Sequence, residues 1–233
     1  MSLLHHRGIQ RWAMRHVRCR FEGVQDRFAI TFDDGPSATN TPRVLDLLAR
    51  HGARATFFVL AGHALRHPEL VRRQLAEGHE IGLHGRYHLP PLVLPDRLLE
   101  HELRATADSV ERAFGVRPRW YRAPFGMLTP AQAEAVARWG FAPVLGDVYP
   151  EDAQNPGADR IVSRTLPRLR GGSILILHDA SVFGDGSREQ TIVAADEILR
   201  VAAERGLRSV PVGELAAAAP AYLSVEAMPK FRW

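Results

Sequence analysis

From residue 27 onward, short runs rich in β-branched and aromatic residues alternate with longer stretches whose apolar positions recur every three or four residues. That alternation predicts parallel βαβ units. Seven strands are expected: Arg27 to Asp33, Arg54 to Leu60, Glu80 to His84, Arg119 to Ala123, Phe141 to Asp147, Ser173 to His178 and Leu207 to Pro211. The intervening helices have readable ends. Thr41 and Pro42 place a cap and a first-turn proline ahead of Val44, Leu45, Leu47 and Leu48, and Gly52 follows as a stop. Leu99, Leu103, Thr106, Val110 and Phe114 form the stripe of the longest helix, which Gly115 ends, and Ile192, Ala195, Leu199 and Ala202 mark another, closed by Gly206. No linker, low-complexity stretch or internal repeat interrupts the series, so one domain is expected over residues 27–218. A basic extension precedes it at 1–26 and a tail follows at 219–233.

Seven β/α units in a chain of 233 residues predict an α/β fold, a barrel of parallel strands with outer helices in preference to a wide doubly wound sheet. In either arrangement chemistry collects where strands end. Asp33 and Asp34 end the first strand, His84 and His88 follow the third, Arg122 ends the fourth, Asp147 and Asp152 follow the fifth, and His178 with Asp179 ends the sixth. Five strands thus aim ionisable groups at one rim.

Composition excludes more than it identifies. With 45% hydrophobic and 24% charged residues, the chain is that of an ordinary globular protein. No apolar run reaches the ~18 residues of a membrane span. The net charge is +4, and Lys230 is the only lysine; the arginines alternate with acids, so no nucleic-acid partner is expected. One cysteine, Cys19, allows neither an internal disulfide nor a thiolate metal site. Met1 to Phe21 lacks the apolar core and cleavage site of a signal peptide; a cytoplasmic location is the expectation, and a secreted protein trimmed of its leader is the alternative. Residues 1–20 interleave Arg7, Arg11, Arg15, Arg18 and Arg20 with Ile9, Trp12, Ala13 and Val17 at helical spacing. Packing on the chain's own domain is the first reading of that segment, and peripheral contact with an anionic lipid surface the second.

Each chemistry-bearing run has an innocent explanation alone. Adjacent carboxylates before Gly35 and Pro36 are common turn formers, yet two like charges side by side call for a cation or a shared proton. His84 and His88 stand four apart on what Gly82 and Gly85 make a tight loop, and that spacing suits one cation. One carboxylate with two imidazoles leaves a zinc-like ion open positions for water and substrate. Arg122 could clamp a carboxylate, and His178, at the end of the apolar run Leu175–Leu177, could serve as a general acid. Their joint occurrence, each on a strand end, outweighs the separate explanations.

The runs TFDDG (Thr31 to Gly35), HGRYH (His84 to His88), RAPFG (Arg122 to Gly126), the D-x-x-x-x-D run from Asp147 to Asp152, and L-x-x-H (Leu175 to His178) together resemble the polysaccharide deacetylases, the NodB homology domain or carbohydrate esterase family four. The resemblance covers about Arg27 to Ala218. It implies a distorted seven-stranded (β/α) barrel that hydrolyses the N-acetyl amide of an amino sugar with one divalent metal, usually zinc, with cobalt an alternative. Asp34, His84 and His88 would be the ligands and Asp33 the base. Arg122 would orient Asp33, His178 would protonate the departing amine, and Asp152 would tune His178. The Phe125 N–H would stabilise the oxyanion, with Tyr149, Ala153 and Leu175 also at the substrate.

Three positions depart from the family pattern: Gly85 for a hydroxyl residue, Tyr149 for an aspartate and Ala153 for a tryptophan. They put the substrate pocket in question more than the chemistry. The first expectation is a de-N-acetylase of a chitin-like or peptidoglycan-like glycan. A rival moves the same chemistry to a lipid-linked amino sugar or small amide, a deacylase or deformylase at the cytoplasmic membrane face. A non-catalytic glycan-binding domain is a third reading.

Overall fold

A computed structural model describes residues 17–182 and 186–220. Most of the basic N-terminal segment and the C-terminal tail lie outside the described residues. The chain alternates as β1 (Arg27–Asp33), α1 (Thr41–Arg50), β2 (Ala55–Val59), α2 (Ala61–Arg66), α3 (Pro68–Ala76), β3 (Glu80–Leu83), α4 (Asp96–Phe114), β4 (Trp120–Tyr121), α5 (Pro130–Arg138), β5 (Ala142–Pro143), α6 (Ala158–Thr165), β6 (Ile174–His178), α7 (Glu189–Glu204), β7 (Arg208–Ser209) and α8 (Val212–Ala217). All seven expected strands are present, several shorter than read.

The strands are parallel, in the order β5-β4-β3-β2-β1-β6, and β7 pairs with the start of β1. The expected fifth strand shortens because the chain changes partner along it. Ala142 and Pro143 pair with β4, Val144 bridges to Arg18, and Val148 bridges to Leu175 of β6. That last bridge, with Arg18 and Arg20 bridging to Val144 and Ser173, closes the curled sheet into a distorted barrel. Residues just before β1 are therefore part of the fold: Phe21 is fully buried, and its N–H donates to Gly172 O at 2.9 Å.

Helix ends follow their local chemistry. Thr129 and Gln132 form a reciprocal capping box at the start of α5, and Gly115 ends α4 at φ 73°. Asn40, not Thr41, is the N-cap of α1; the Thr41 hydroxyl accepts from the Ser37 N–H and donates to Asp179.

The period of two along each strand divides the interior. Phe28, Ile30, Phe32, Phe57, Val59, Ile81, Leu83, Leu175 and Leu177 face outward into the core shared with the helices, where the stripes of α1, α4 and α7 cover them. The opposite positions face into the barrel. Its lower layer is apolar, formed by Phe21, Ala29, Phe58, Trp120, Ile174 and residues of α8. Within it Glu80 accepts from the Thr56 hydroxyl, the Trp120 indole N–H and the Gly213 N–H at 2.8, 3.0 and 3.0 Å. Above it Phe58 carries the Arg122 guanidinium 4.0 Å from its ring centre. Gly82 makes room for that ring: a Cβ there would lie 2.6 Å from two Phe58 ring carbons.

Gly82→Ala must therefore move Phe58 and the guanidinium resting on it. A loss of about 1–3 kcal/mol in unfolding free energy is expected, the usual cost of overpacking a filled interior. Chemical denaturation of the two proteins checks it; an unchanged midpoint at unchanged slope would refute the packing argument.

Candidate metal centre and catalytic rim

The site stands on the strand ends above Arg122. That side chain is 1% exposed, and one of its terminal nitrogens donates to Asp33 Oδ1 at 2.6 Å and to the Thr31 hydroxyl at 2.7 Å. The other donates to Leu145 O at 3.0 Å. The guanidinium thus ties β1, β4 and the chain after β5 together beneath the rim. Burial alone would raise the Asp33 carboxyl, but the charge of Arg122, joined by those of His84 and His178 and by the Arg122 hydrogen bond, overcomes it and holds the group below the ordinary carboxylate range.

Asp34 turns the other way. Its backbone is left-handed at φ 72°, so the two adjacent carboxylates diverge: Asp33 points to Arg122 and Asp34 to the histidines. Asp34 Oδ1 lies 3.5 Å from His84 Nε2 and 3.4 Å from His88 Nε2. His84 sits one residue beyond β3; its Nδ1 donates to Arg122 O at 2.8 Å, which leaves Nε2 as a lone-pair donor toward Asp34. His88 reaches the same point across a loop made possible by Gly85 at φ 87°. Burial, with His84 beside it, lowers the His88 imidazole to about 4, so it is neutral at ordinary pH.

One ligand atom from each of Asp34, His84 and His88 lies within 4.8 Å of the others. Asp34 Oδ1 is buried with no hydrogen-bond donor. A carboxylate oxygen without a donor, facing two imidazole nitrogens, is what a bound cation satisfies. The donor set, one oxygen and two nitrogens from three residues, fits a divalent ion with open positions.

Across the rim, His178 Nδ1 donates to Asp152 Oδ1 at 2.9 Å, and the His178 N–H donates to Asp152 Oδ2 at 2.8 Å. Asp152 is fully buried and also accepts from the Thr191 hydroxyl at 3.0 Å. Burial by itself lowers the His178 imidazole; the charge and hydrogen bond of Asp152, with Asp34 and Asp33 further off, overcome it and raise the group to about 9.

The structure brings Asp33, Asp34, His84, His88, Arg122, Asp152 and His178 together at the strand ends, and two other positions, Leu175 and Asp147, differ from the sequence reading. Leu175 faces away from the mouth, into the outer core. The period of two gives its place to Ile176, on the same face as His178, which packs with Leu145 and Tyr149. Tyr149 lies 6.1 Å from the His178 ring. Asp147 does not reach the rim: it accepts from the Ser173 hydroxyl and the Ile174 N–H at the start of β6. Ala153 is half-buried, and its carbonyl accepts from Arg188 at 3.2 Å.

Phe125 has φ 60°, and its ring meets His88 edge-on at 4.4 Å. The hydrogen bonds of that turn come from the N–H groups of Gly126 and Met127, so the Phe125 N–H is left out of them. Sequence reasoning missed Arg188 and Thr191, which hold the Asp152 turn from the start of α7, because neither lies in a chemistry-bearing run. It named Asp179 only as a strand end. That carboxyl is fully buried against Thr41, and burial, with the nearby charge of Asp34, raises it to about 7.

The sequence profile of the polysaccharide deacetylases matches residues 22–144. A chitooligosaccharide deacetylase of Bradyrhizobium sp. (strain ANU 289) is 38% identical over 195 residues, 80% of this chain and 89% of that protein. A peptidoglycan-N-acetylglucosamine deacetylase of Bacillus cereus is 38% identical over 189 residues, 80% of this chain and 86% of that one. Among solved structures, the peptidoglycan N-acetylglucosamine deacetylase Bc1960 superposes with a TM-score of 0.80 at 26% identity, covering 89% of this chain and 94% of its own. A family 4 carbohydrate esterase from Streptomyces lividans, solved with acetate, gives 0.71 at 29% identity, covering 80% and 93%. With the barrel, the Asp34–His84–His88 cluster and this likeness over most of both chains, the protein belongs to the polysaccharide deacetylase family.

Proposed function

We propose that this protein hydrolyses the N-acetyl amide of N-acetylglucosamine units in a glycan, releasing acetate and a free amine. The observation that carries the reading is the pairing of a buried carboxylate–imidazole cluster with two differently prepared proton carriers at one mouth, Asp33 held ionised and His178 held protonated. Relatives named for chitooligosaccharides and for peptidoglycan support the substrate class.

Asp34, His84 and His88 would hold one divalent ion, zinc by the donor set. When bound, such an ion polarises an amide carbonyl and makes water more acidic. Asp33, ionised and oriented by Arg122, takes the proton of the attacking water. The Phe125 N–H donates toward the oxyanion, a contribution of about 3–4 kcal/mol when such a donor is well placed. His178 gives its Nε2 proton to the leaving nitrogen while Asp152 keeps the ring oriented and cationic. Leu145, Ile176 and Tyr149 form the apolar wall beside His178 on which the acyl methyl rests.

Replacing His88 with alanine leaves two ligands of three. Zinc binding measured by titration calorimetry should weaken by at least about tenfold, and acetate release from chito-oligomers should fall with it. Stoichiometric, tight zinc in this variant would remove His88 from the site.

Asp33→Asn should keep zinc and lower kcat by about 10²–10⁴, the range of a lost general base. Near-normal turnover, or loss of the metal, would show that Asp33 and Asp34 have exchanged roles.

The pH dependence follows from the sign of the His178 shift. The group must be protonated, and its value of about 9 lies above the ordinary one, so activity holds through neutrality and falls as pH rises through about 9. Asp152→Asn removes the charge that raises it. The alkaline limb should then move to lower pH, and an unmoved limb in the kcat profile would separate His178 from the acid step.

A further inference from the structure

The described residues expose eight large hydrophobic side chains, and five of them, Tyr87, Leu89, Leu92, Val93 and Leu98, fall within one segment beside the metal centre. Tyr87 lies over α2, where Leu65 is also exposed; a Cβ at Gly62 would stand 3.5 Å from its ring. The tip of the segment is held in place. Pro91 is buried, and its carbonyl accepts from Gln132 of α5 at 3.0 Å, so the single turn Pro91–Val93 presents Leu92 and Val93 to solvent at 43% and 67% exposure. Clustered apolar exposure on a fixed turn marks a contact surface.

Of the four exposed charged side chains of the segment from Arg86 to Leu98 and of α2, three are basic. Arg86 and Arg97 in the segment and Arg66 at the end of α2 are exposed, and none of their guanidinium groups pairs with a carboxylate among the described residues. Arg86 donates to the Tyr87 hydroxyl at 2.9 Å. The one exposed acid within the segment, Asp96, stands at the first turn of α4, where the helix N-terminus already meets its charge.

These features select among occupants. A second copy docking by the same face would gather two sets of three arginines into one interface, with Asp96 the one exposed acid each segment brings. Sugars stack on aromatic faces, and Tyr87 offers one, but the other four exposed side chains of the segment, Leu89, Leu92, Val93 and Leu98, are aliphatic. An anionic lipid surface satisfies both halves, hydrocarbon for the aliphatic tip and headgroup charge for the arginines. We propose that the segment from Arg86 to Leu98, with Arg66 and Leu65 of α2, docks on an anionic lipid bilayer and holds the mouth of the site against the headgroup layer. This inference rests on the surface alone and does not depend on the deacetylase reading.

The test is co-sedimentation of the whole chain with phosphatidylcholine vesicles, with and without phosphatidylglycerol. The protein should sediment with the anionic vesicles and be released by salt. Leu92→Asp with Val93→Asp should weaken that binding by at least about tenfold, since a Leu side chain alone accounts for roughly that much burial. Arg66→Ala with Arg97→Ala should weaken it by about fivefold for each arginine removed near the surface. All variants change exposed positions, and circular dichroism with zinc titration verifies their fold. Absence of binding to anionic vesicles, or binding by the Leu92/Val93 variant equal to that of the parent, would overturn the proposal. So would concentration-dependent dimerisation that the same variant abolishes in a protein indifferent to lipid.

Discussion

The structure turns on a buried guanidinium. Arg122 is the largest fully buried side chain among the described residues, and it is paired with Asp33, supported by Phe58 and bonded to Thr31 and to the backbone of Leu145. A charge taken out of water needs its partner and hydrogen bonds, and removing one member of such a pair typically costs about 3–5 kcal/mol. The barrel supplies the partner and satisfies both terminal nitrogens, leaving only Nε without a bond: strand ends from β1 and β4 meet over an aromatic floor, with Gly82 leaving the floor its space. Arg122 also reaches the metal centre through its own carbonyl, which fixes the tautomer of His84. One residue thus favours the ionised form of Asp33 and directs the lone pair of His84.

The rim applies the same principle with opposite results on its two sides. Near Arg122 a carboxylate is kept ionised; near Asp152 an imidazole is kept protonated. Both groups are buried, and burial pushes each toward neutrality. What separates them is the sign of the fixed neighbour. That neighbour is itself anchored, Arg122 by the β1 and β5 segments and Asp152 by Thr191 together with the His178 backbone.

Much of this was legible in the sequence because it is local. The strands, their order along the chain and the helical stripes follow from periodicity, and the Asp34–His84–His88 cluster lies in short runs at strand ends. What was not legible depends on parity or on partners far along the chain. Leu175 and Ile176 are both apolar in an apolar strand, and a single step of the pleat decides which faces the mouth. Asp147 and Asp152 look alike in sequence, yet one clips the start of β6 and the other backs His178. Arg188, Thr191 and Asp179 act through backbone and hydroxyl bonds that no spacing announces. The barrel seam is likewise silent, since Arg18 and Arg20 read as charges in a basic segment and serve as backbone bridges.

The placement of β1 has a consequence for how the molecule comes into being. Its first strand pairs with β6 and β7, and the Thr31 hydroxyl bonds to Leu175 O, 144 residues away. Such distant pairings carry a large loop-closure cost and slow the search for the native arrangement. A chain leaving the ribosome can join β1 to β2 early, but the strand that carries His178 arrives only after some three quarters of the polypeptide. The Asp34–His84–His88 cluster belongs to the early part, and His178 with its Asp152 partner to the late part. A growing chain thus has its three ligand residues in hand well before the opposite side of the rim exists, and the two halves of the mouth meet only when β6 pairs with β1.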